Sequence, residues 1–320
     1  MTKIIPLAEA VGNLIKDGSA VAMEGFTHLI PHAAGHEVIR QNKATLLSLY
    51  RDCRLERKQR KWDSGWTSGY RLFIDGELAT GSSIGEDEIR LFLDLPNIVS
   101  ARYMYCVGVA FGLSTFCFAL AKPDNAVFGI DDYSERPGEA TNRARVLVEE
   151  IATSVFDNVF LPIGRSPVDT VNCLNRLPKD EKLSILFIDG EHTDEAAAAD
   201  FNGAKEFVGP ETVVLWHDVY DVKKAFADSF SAEWFDRSYI LRTYGVLGIY
   251  FNSTLFPALD EYLRINCLIW EDWEIRLKFL KLSWKIASRV DHAFLLDRPL
   301  SKLEVRIVKA KRGLLSVLGR

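Results

Sequence analysis

The middle of the chain alternates short apolar runs with amphipathic stretches. The apolar, β-rich runs fall at Tyr103–Val109, Ala126–Ile130, Asn158–Ile163, Leu183–Ile188 and Thr212–Trp216. Between them, helical patterns cover Ser114–Ala121, Ala140–Thr153, Pro167–Asn175 and Glu195–Phe207. Strands that alternate with helices predict a parallel sheet covered on both faces. Two more strand-like runs, Tyr239–Thr243 and Gly245–Phe251, stand almost end to end and read as a hairpin closing one edge of the sheet.

The flanks have a different texture. Residues 1–44 carry a helix at Leu7–Ile15, a short strand at Ala20–Met23 and a helix start near Pro31. Arg51–Lys61 is basic and is followed by Trp62, Trp66 and Tyr70; it reads as a solvated helix face in preference to a nucleic-acid contact. A further helix is expected at Glu86–Leu95. From about Pro257 onward the chain reads as helical and basic. Within that tail, residues 273–290 form an amphipathic helix whose basic edge could rest on an anionic membrane surface.

The chain thus divides into an N-terminal fragment (1–44), a cap of linker helices (45–95), an α/β core (96–251) and a basic helical tail (252–320). Composition fits this picture. Of 320 residues, 48% are hydrophobic and 26% charged, too apolar for a disordered chain. The net charge of −5 argues against a dedicated nucleic-acid binder. It conceals an asymmetry, because residues 271–320 hold about twelve basic against six acidic side chains, which leaves the remainder at about −11. No apolar run is long enough for a membrane helix, and the first residues lack the pattern of a secretory signal. Five widely spaced cysteines without a CxxC pair fit a reducing, cytoplasmic setting.

Candidate chemistry gathers at the predicted strand ends. In Tyr105-Cys-Val-Gly-Val-Ala-Phe-Gly-Leu-Ser-Thr115, Gly108 allows a tight turn and Gly112 a close ligand approach, just before a helix N-terminus with free N–H groups. Asp131 and Asp132 end the next run and could accept bonds from ribose hydroxyls. The third glycine of a dinucleotide-binding turn is missing, which leaves an adenosine-type ligand without a pyrophosphate. Asp189 ends a fourth run and His217-Asp218 a fifth. Adjacent parallel strands bring these three together as candidate ligands for Mg²⁺ or another divalent cation. His192, three residues beyond Asp189, is the candidate general base, with Asp189 and His217 beside it in the catalytic group.

The segments YCVGVAFGLST, VFGIDDYS, FLPIGRS, ILFIDGEHTDEAAAADF and VVLWHDVY, followed by TYGVLGIYF, resemble the class I S-adenosylmethionine-dependent methyltransferases over about residues 80–251, nearest the branch of sugar and antibiotic O-methyltransferases. The resemblance implies a Rossmann-like, doubly wound, mostly parallel seven-stranded sheet with an antiparallel edge hairpin. It implies S-adenosylmethionine held around Gly108, Ala110, Gly112, Ser114, Asp131, Asp132 and Ser166, with Ser83 and Glu86 as further contacts. It also implies methylation of a hydroxyl on a small molecule such as a sugar or secondary metabolite, assisted by a metal. Cys106 stands where this family usually has an acid, and Arg165 where many relatives have Asp.

Residues 1–44 are similar to the start of the α subunit of family I CoA-transferases, through DGSAVAMEGFTH, the Pro31 helix start and GHEVIRQ. That family's later glycine loops and catalytic glutamate have no counterpart downstream. Two alternatives accompany the methyltransferase reading: a CoA-transferase-related protein, and a non-catalytic module on a degenerate methyltransferase fold. A homo-oligomer stays open.

Overall fold

The computed structural model describes residues 43–62, 65–79, 83–134, 138–267 and 269. The CoA-transferase-like segment, apart from residues 43 and 44, and the amphipathic 273–290 segment lie outside the described residues.

A seven-stranded sheet forms the centre. Its strands are β4 (Tyr103–Val107), β5 (Ala126–Ile130), β6 (Val159–Phe160), β7 (Ile185–Ile188), β8 (Val213–Trp216), β9 (Arg237–Ile240) and β10 (Gly248–Phe251), in the order β6-β5-β4-β7-β8-β10-β9. The first five pair in parallel, and β10 runs antiparallel to both β8 and β9. The seven strands, the two-faced burial and the antiparallel edge pair agree with the expected architecture.

The uninterrupted apolar runs arise because both faces of the sheet are covered. Along β4, Met104 and Cys106 face one core while Tyr105 and Val107 face the other. Ile185 and Phe187 alternate with Leu186 and Ile188 along β7, and Val213 and Leu215 with Val214 and Trp216 along β8. The first core receives α1 (Glu86–Ile98), α2 (Leu113–Ala121), α3 (Glu139–Val155) and α7 (Pro257–Asn266). The second receives α4 (Thr170–Cys173), α5 (Asp194–Ala204) and α6 (Lys223–Asp228).

The segment before the sheet differs from expectation. Arg54–Trp62 is not a helix but strand β1, paired in antiparallel register with β2 (Gly65–Ile74), which in turn pairs with β3 (Glu77–Leu78). The partner strand decides the conformation: β2 buries Tyr70 and Leu72, so the hairpin has an apolar side to dock although β1 itself reads as charged. Asp75 and Gly76, both at positive φ, make the tight turn between β2 and β3. The expected division between residues 95 and 96 also falls inside α1, whose apolar face runs on to the end of the helix. In α7, Leu259 and Leu263 are buried against the sheet.

Along the chain, β4 is followed by β5 and β6 on one side, whereas β7 and β8 build outward on the other. The carboxyl ends of β4 and β7 therefore flank the point where the winding reverses, which is where open α/β sheets bind ligands.

Candidate functional site

The glycine turn leaves β4 at this crevice. Gly108 and Gly112 both have positive φ (84° and 83°), and Ala110 between them has φ 49°. At Gly108 glycine is required twice over, since a Cβ there would lie 2.0 Å from the Asp189 carbonyl oxygen. The loop packs directly on the end of β7, and the Asp189 amide donates to the Val107 carbonyl (2.8 Å). Gly112 caps α2 at its N-terminus. The first-turn amides of that helix have no carbonyl four residues back and face the turn. Ser114 is buried in the same first turn.

Asp131 ends β5 and braces the turn. Its Oδ2 accepts hydrogen bonds from the Val109 and Ala110 amides, both at 2.8 Å, and its Oδ1 accepts from the Tyr133 amide at 2.6 Å. The carboxylate expected at a ribose thus also holds the glycine turn in shape. Asp132 accepts from the Ser134 amide (2.9 Å) and lies 3.8 Å from the Arg165 guanidinium. Hydrogen bonding to Ser134 and the Arg165 charge hold the Asp132 carboxyl below its ordinary range against the effect of burial. Ser166 bonds Thr170 (3.2 Å), which bonds the buried Tyr105 hydroxyl (3.0 Å). Cys106 is fully buried, and burial pushes its thiol up to about 12, so it sits as a neutral apolar side chain.

A second constellation stands beside the turn, at the ends of β7 and β8. His217 Nδ1 lies 3.0 Å from Asp189 Oδ1 and 3.3 Å from Asp218 Oδ2. His192 Nε2 lies 3.6 Å from each of the same two oxygens. Behind His217, Glu88 of α1 brings Oε2 to 3.3 Å from Nε2. Glu88 is fully buried; it also accepts from the Gly85 amide (2.5 Å) and the Gly245 amide (2.8 Å). Burial disfavours the Glu88 carboxylate, but the facing His217 charge outweighs it and holds the pKa low. Burial likewise disfavours the His217 cation, and the three surrounding carboxylates reverse this and raise it well above the ordinary value. Asp189 is pulled down to about 2: burial opposes its ionisation, and His217 and His192 overcome that. The neighbouring Asp189 carboxylate lifts His192 to about 9, against the effect of burial. Asp218 stands at φ 46°, a left-handed conformation held where the cluster needs its carboxylate.

Asp189, His192 and Asp218 each offer an atom within 4.8 Å of the others and could hold a cation together. The His192 Nε2 thus stands among the candidate ligand atoms. His217 lies directly beneath them with only 5% of its surface exposed. The Ser83 amide donates to the Tyr70 carbonyl, and Glu86 is held by Lys43, Arg57 and the Tyr70 hydroxyl. Those bonds tie α1 to the hairpin. Glu88 escaped the sequence reading. Its one signal was position, as an acid at the third residue of a helix, where such a side chain reaches back to the cap amide.

Residues 106–219 match a family model described as a methyltransferase domain. A curated relative, one subunit of the 3-oxoadipate CoA-transferase of Pseudomonas knackmussii, is 56% identical over 46 residues, which is 14% of this chain. The chain spans only 16% of that relative's length. Among solved structures, similarity extends to an O-methyltransferase from Bacillus cereus in complex with SAH (TM-score 0.42, 17% identity, 54% of this chain and 84% of that one). It also extends to the apo TDP-rhamnose 3'-O-methyltransferase of calicheamicin biosynthesis (0.41, 14%, 51% and 78%).

Proposed function

We propose that this methyltransferase domain transfers a methyl group from S-adenosylmethionine to a hydroxyl oxygen of a small molecule, with a divalent cation helping to hold the acceptor. One observation carries the reading: at the point where the sheet reverses, a glycine turn braced by Asp131 packs against a cluster of two carboxylates and two imidazoles. The sheet ends thus set a nucleoside-type cradle and an oxygen-binding group side by side, which is the juxtaposition that alkyl transfer to a hydroxyl needs.

The residues present fit both groups. Gly108 and Gly112 put no side chain at the two ends of the turn, and the α2 N-terminus offers amides. Asp131 fixes the turn through the Val109 and Ala110 amides and keeps lone pairs for a ribose hydroxyl. Asp132 and Ser166 would border the nucleoside side of the cradle. On the acceptor side, Asp189, His192 and Asp218 would hold the cation, and the buried His217 Nδ1 aims at them without a hydrogen-bond partner. A bound sulfonium supplies an electrophilic methyl, and a bound cation acidifies a hydroxyl next to it. The acidified hydroxyl would lose its proton to solvent at the half-exposed mouth beside His192 as the new O–C bond forms and the S–C bond breaks. The acceptor class suggested is a sugar or secondary-metabolite hydroxyl. Five free cysteines suit a reducing, cytoplasmic setting.

Transfer of labelled methyl to a panel of glycosides and catechols tests this. The expected result is transfer to at least one hydroxyl acceptor, reduced at least 100-fold by Asp218→Ala while the fold is retained. Transfer that is unaffected by Asp218→Ala, or none to any hydroxyl, would overturn the reading.

A further inference from the structure

We propose that the cation site is built for a first-row transition ion, held by the imidazoles of His192 and His217 with the carboxylates of Asp189 and Asp218, and that Glu88 is the outer carboxylate that orients His217. The proposal deepens the reading of these residues as a cation site and rests on it.

Three observations converge. First, His217 is buried, yet its Nδ1 makes no hydrogen bond: it lies 3.0 and 3.3 Å from the Asp189 and Asp218 oxygens without the alignment of a donor. Neighbouring donor atoms round one small cation stand about 3 Å apart when each is about 2.1 Å from it. A buried nitrogen aimed at two carboxylates at this spacing is a ligand in waiting. Second, the opposite ring nitrogen faces Glu88 Oε2 at 3.3 Å. Glu88 itself cannot turn to ligate, because the Gly85 and Gly245 amides fix its two oxygens. A ligating histidine that gives its other nitrogen to a fixed carboxylate is the arrangement that sets the tautomer and strengthens the ligand. Third, the ring has a seat made for it: a Cβ on residue 245 would lie 2.0 Å from Nε2, so only glycine there admits the imidazole.

The donor set then selects the ion. Carboxylates alone suit Mg²⁺, Ca²⁺ and Mn²⁺, whereas imidazoles shift preference toward Zn²⁺, Fe²⁺ and their neighbours. His192, whose Nε2 lies 3.6 Å from both carboxylate oxygens, adds a second imidazole at the mouth of the site.

The test titrates the full chain with Co²⁺, Zn²⁺ and Mg²⁺ by calorimetry and follows the visible absorption of Co²⁺. The expected result is one Co²⁺ per chain, bound at least 100-fold more tightly than Mg²⁺. Any oxygen site favours Co²⁺ somewhat, so the variants decide. His217→Asn and the half-exposed, fold-safe His192→Asn should each cut the Co²⁺ to Mg²⁺ affinity ratio at least tenfold and shift the Co²⁺ band. Glu88→Gln should weaken Co²⁺ about 10- to 100-fold while one ion still binds. Mg²⁺ within tenfold of Co²⁺ in the unaltered chain, or a ratio unchanged in His192→Asn, overturns the proposal. Failure of every cation to bind overturns it together with the cation part of the proposed function. A parallel titration with S-adenosylmethionine shows whether the methyl-donor part stands by itself.

Discussion

Two carboxylates near the crevice show how position sets a side chain's job. Asp131 braces the glycine turn through Oδ2, whereas Asp200 of α5 is buried with its Oδ2 close enough to Gly190 that a Cβ there would lie 2.8 Å from it. Burial lifts Asp200 to about 6, with Ser166 pulling the other way. An acid whose folded pKa exceeds its unfolded value binds more protons in the folded state between the two values. Stability therefore falls as pH rises from about 4 to about 6, and the penalty is fully present above that. Two pKa units correspond to about 3 kcal/mol as an upper bound. Asp200→Asn is expected to be more stable than the parent by about 1–3 kcal/mol at pH 7.5 and equal to it at pH 4, as read by urea unfolding at both pH values. Equal stability at pH 7.5 would show that the carboxylate is not penalised. Gly108, Asp131, Asp189, His217 and Asp218 were legible in the sequence because each follows an apolar run, and strand ends in a parallel sheet converge. Glu88 was not, since it lies 101 residues before Asp189 in sequence and reaches the site only because α1 packs across the sheet. No local pattern marks a carboxylate whose partners come from β8 and the loop at Gly245.

At the scale of elements, the buried strands were readable and the hairpin was not. The β7 run Ile185–Ile188 presents Phe187 to a cluster with Phe92 of α1 (ring centroids 5.0 Å apart) and Phe118 of α2 (6.3 Å), and edge-on to His217 (6.0 Å). Replacing this fully buried ring by Ala should cost about 3–5 kcal/mol. It should also loosen His217, so cation affinity should fall along with stability in denaturant titrations and calorimetry. A loss under 1 kcal/mol would mean that α1 and α2 do not rely on this contact. Arg54–Trp62 misled because its charges recur at spacings that also suit a solvated helix, and only pairing with β2 selects the extended form. The Asp75-Gly76 pair was a readable turn signal between strands and went unread.

The described residues form an α/β sheet whose reversal point brings a ligand cradle and a metal-type cluster together, tied by α1 to a small antiparallel sheet. Glu86 makes that tie with Lys43, Arg57 and Tyr70, and two residues on Glu88 reaches the cluster. The basic stretch 271–320 lies outside the described residues. Among the described residues, no helix is long and apolar enough to cross a membrane. The central claim is that the cradle takes S-adenosylmethionine, and calorimetric titration of the full chain measures it directly. Saturable binding of one molecule per chain is expected, weakened at least tenfold by Asp131→Ala. A folded protein that gives no binding heat at millimolar S-adenosylmethionine would contradict it.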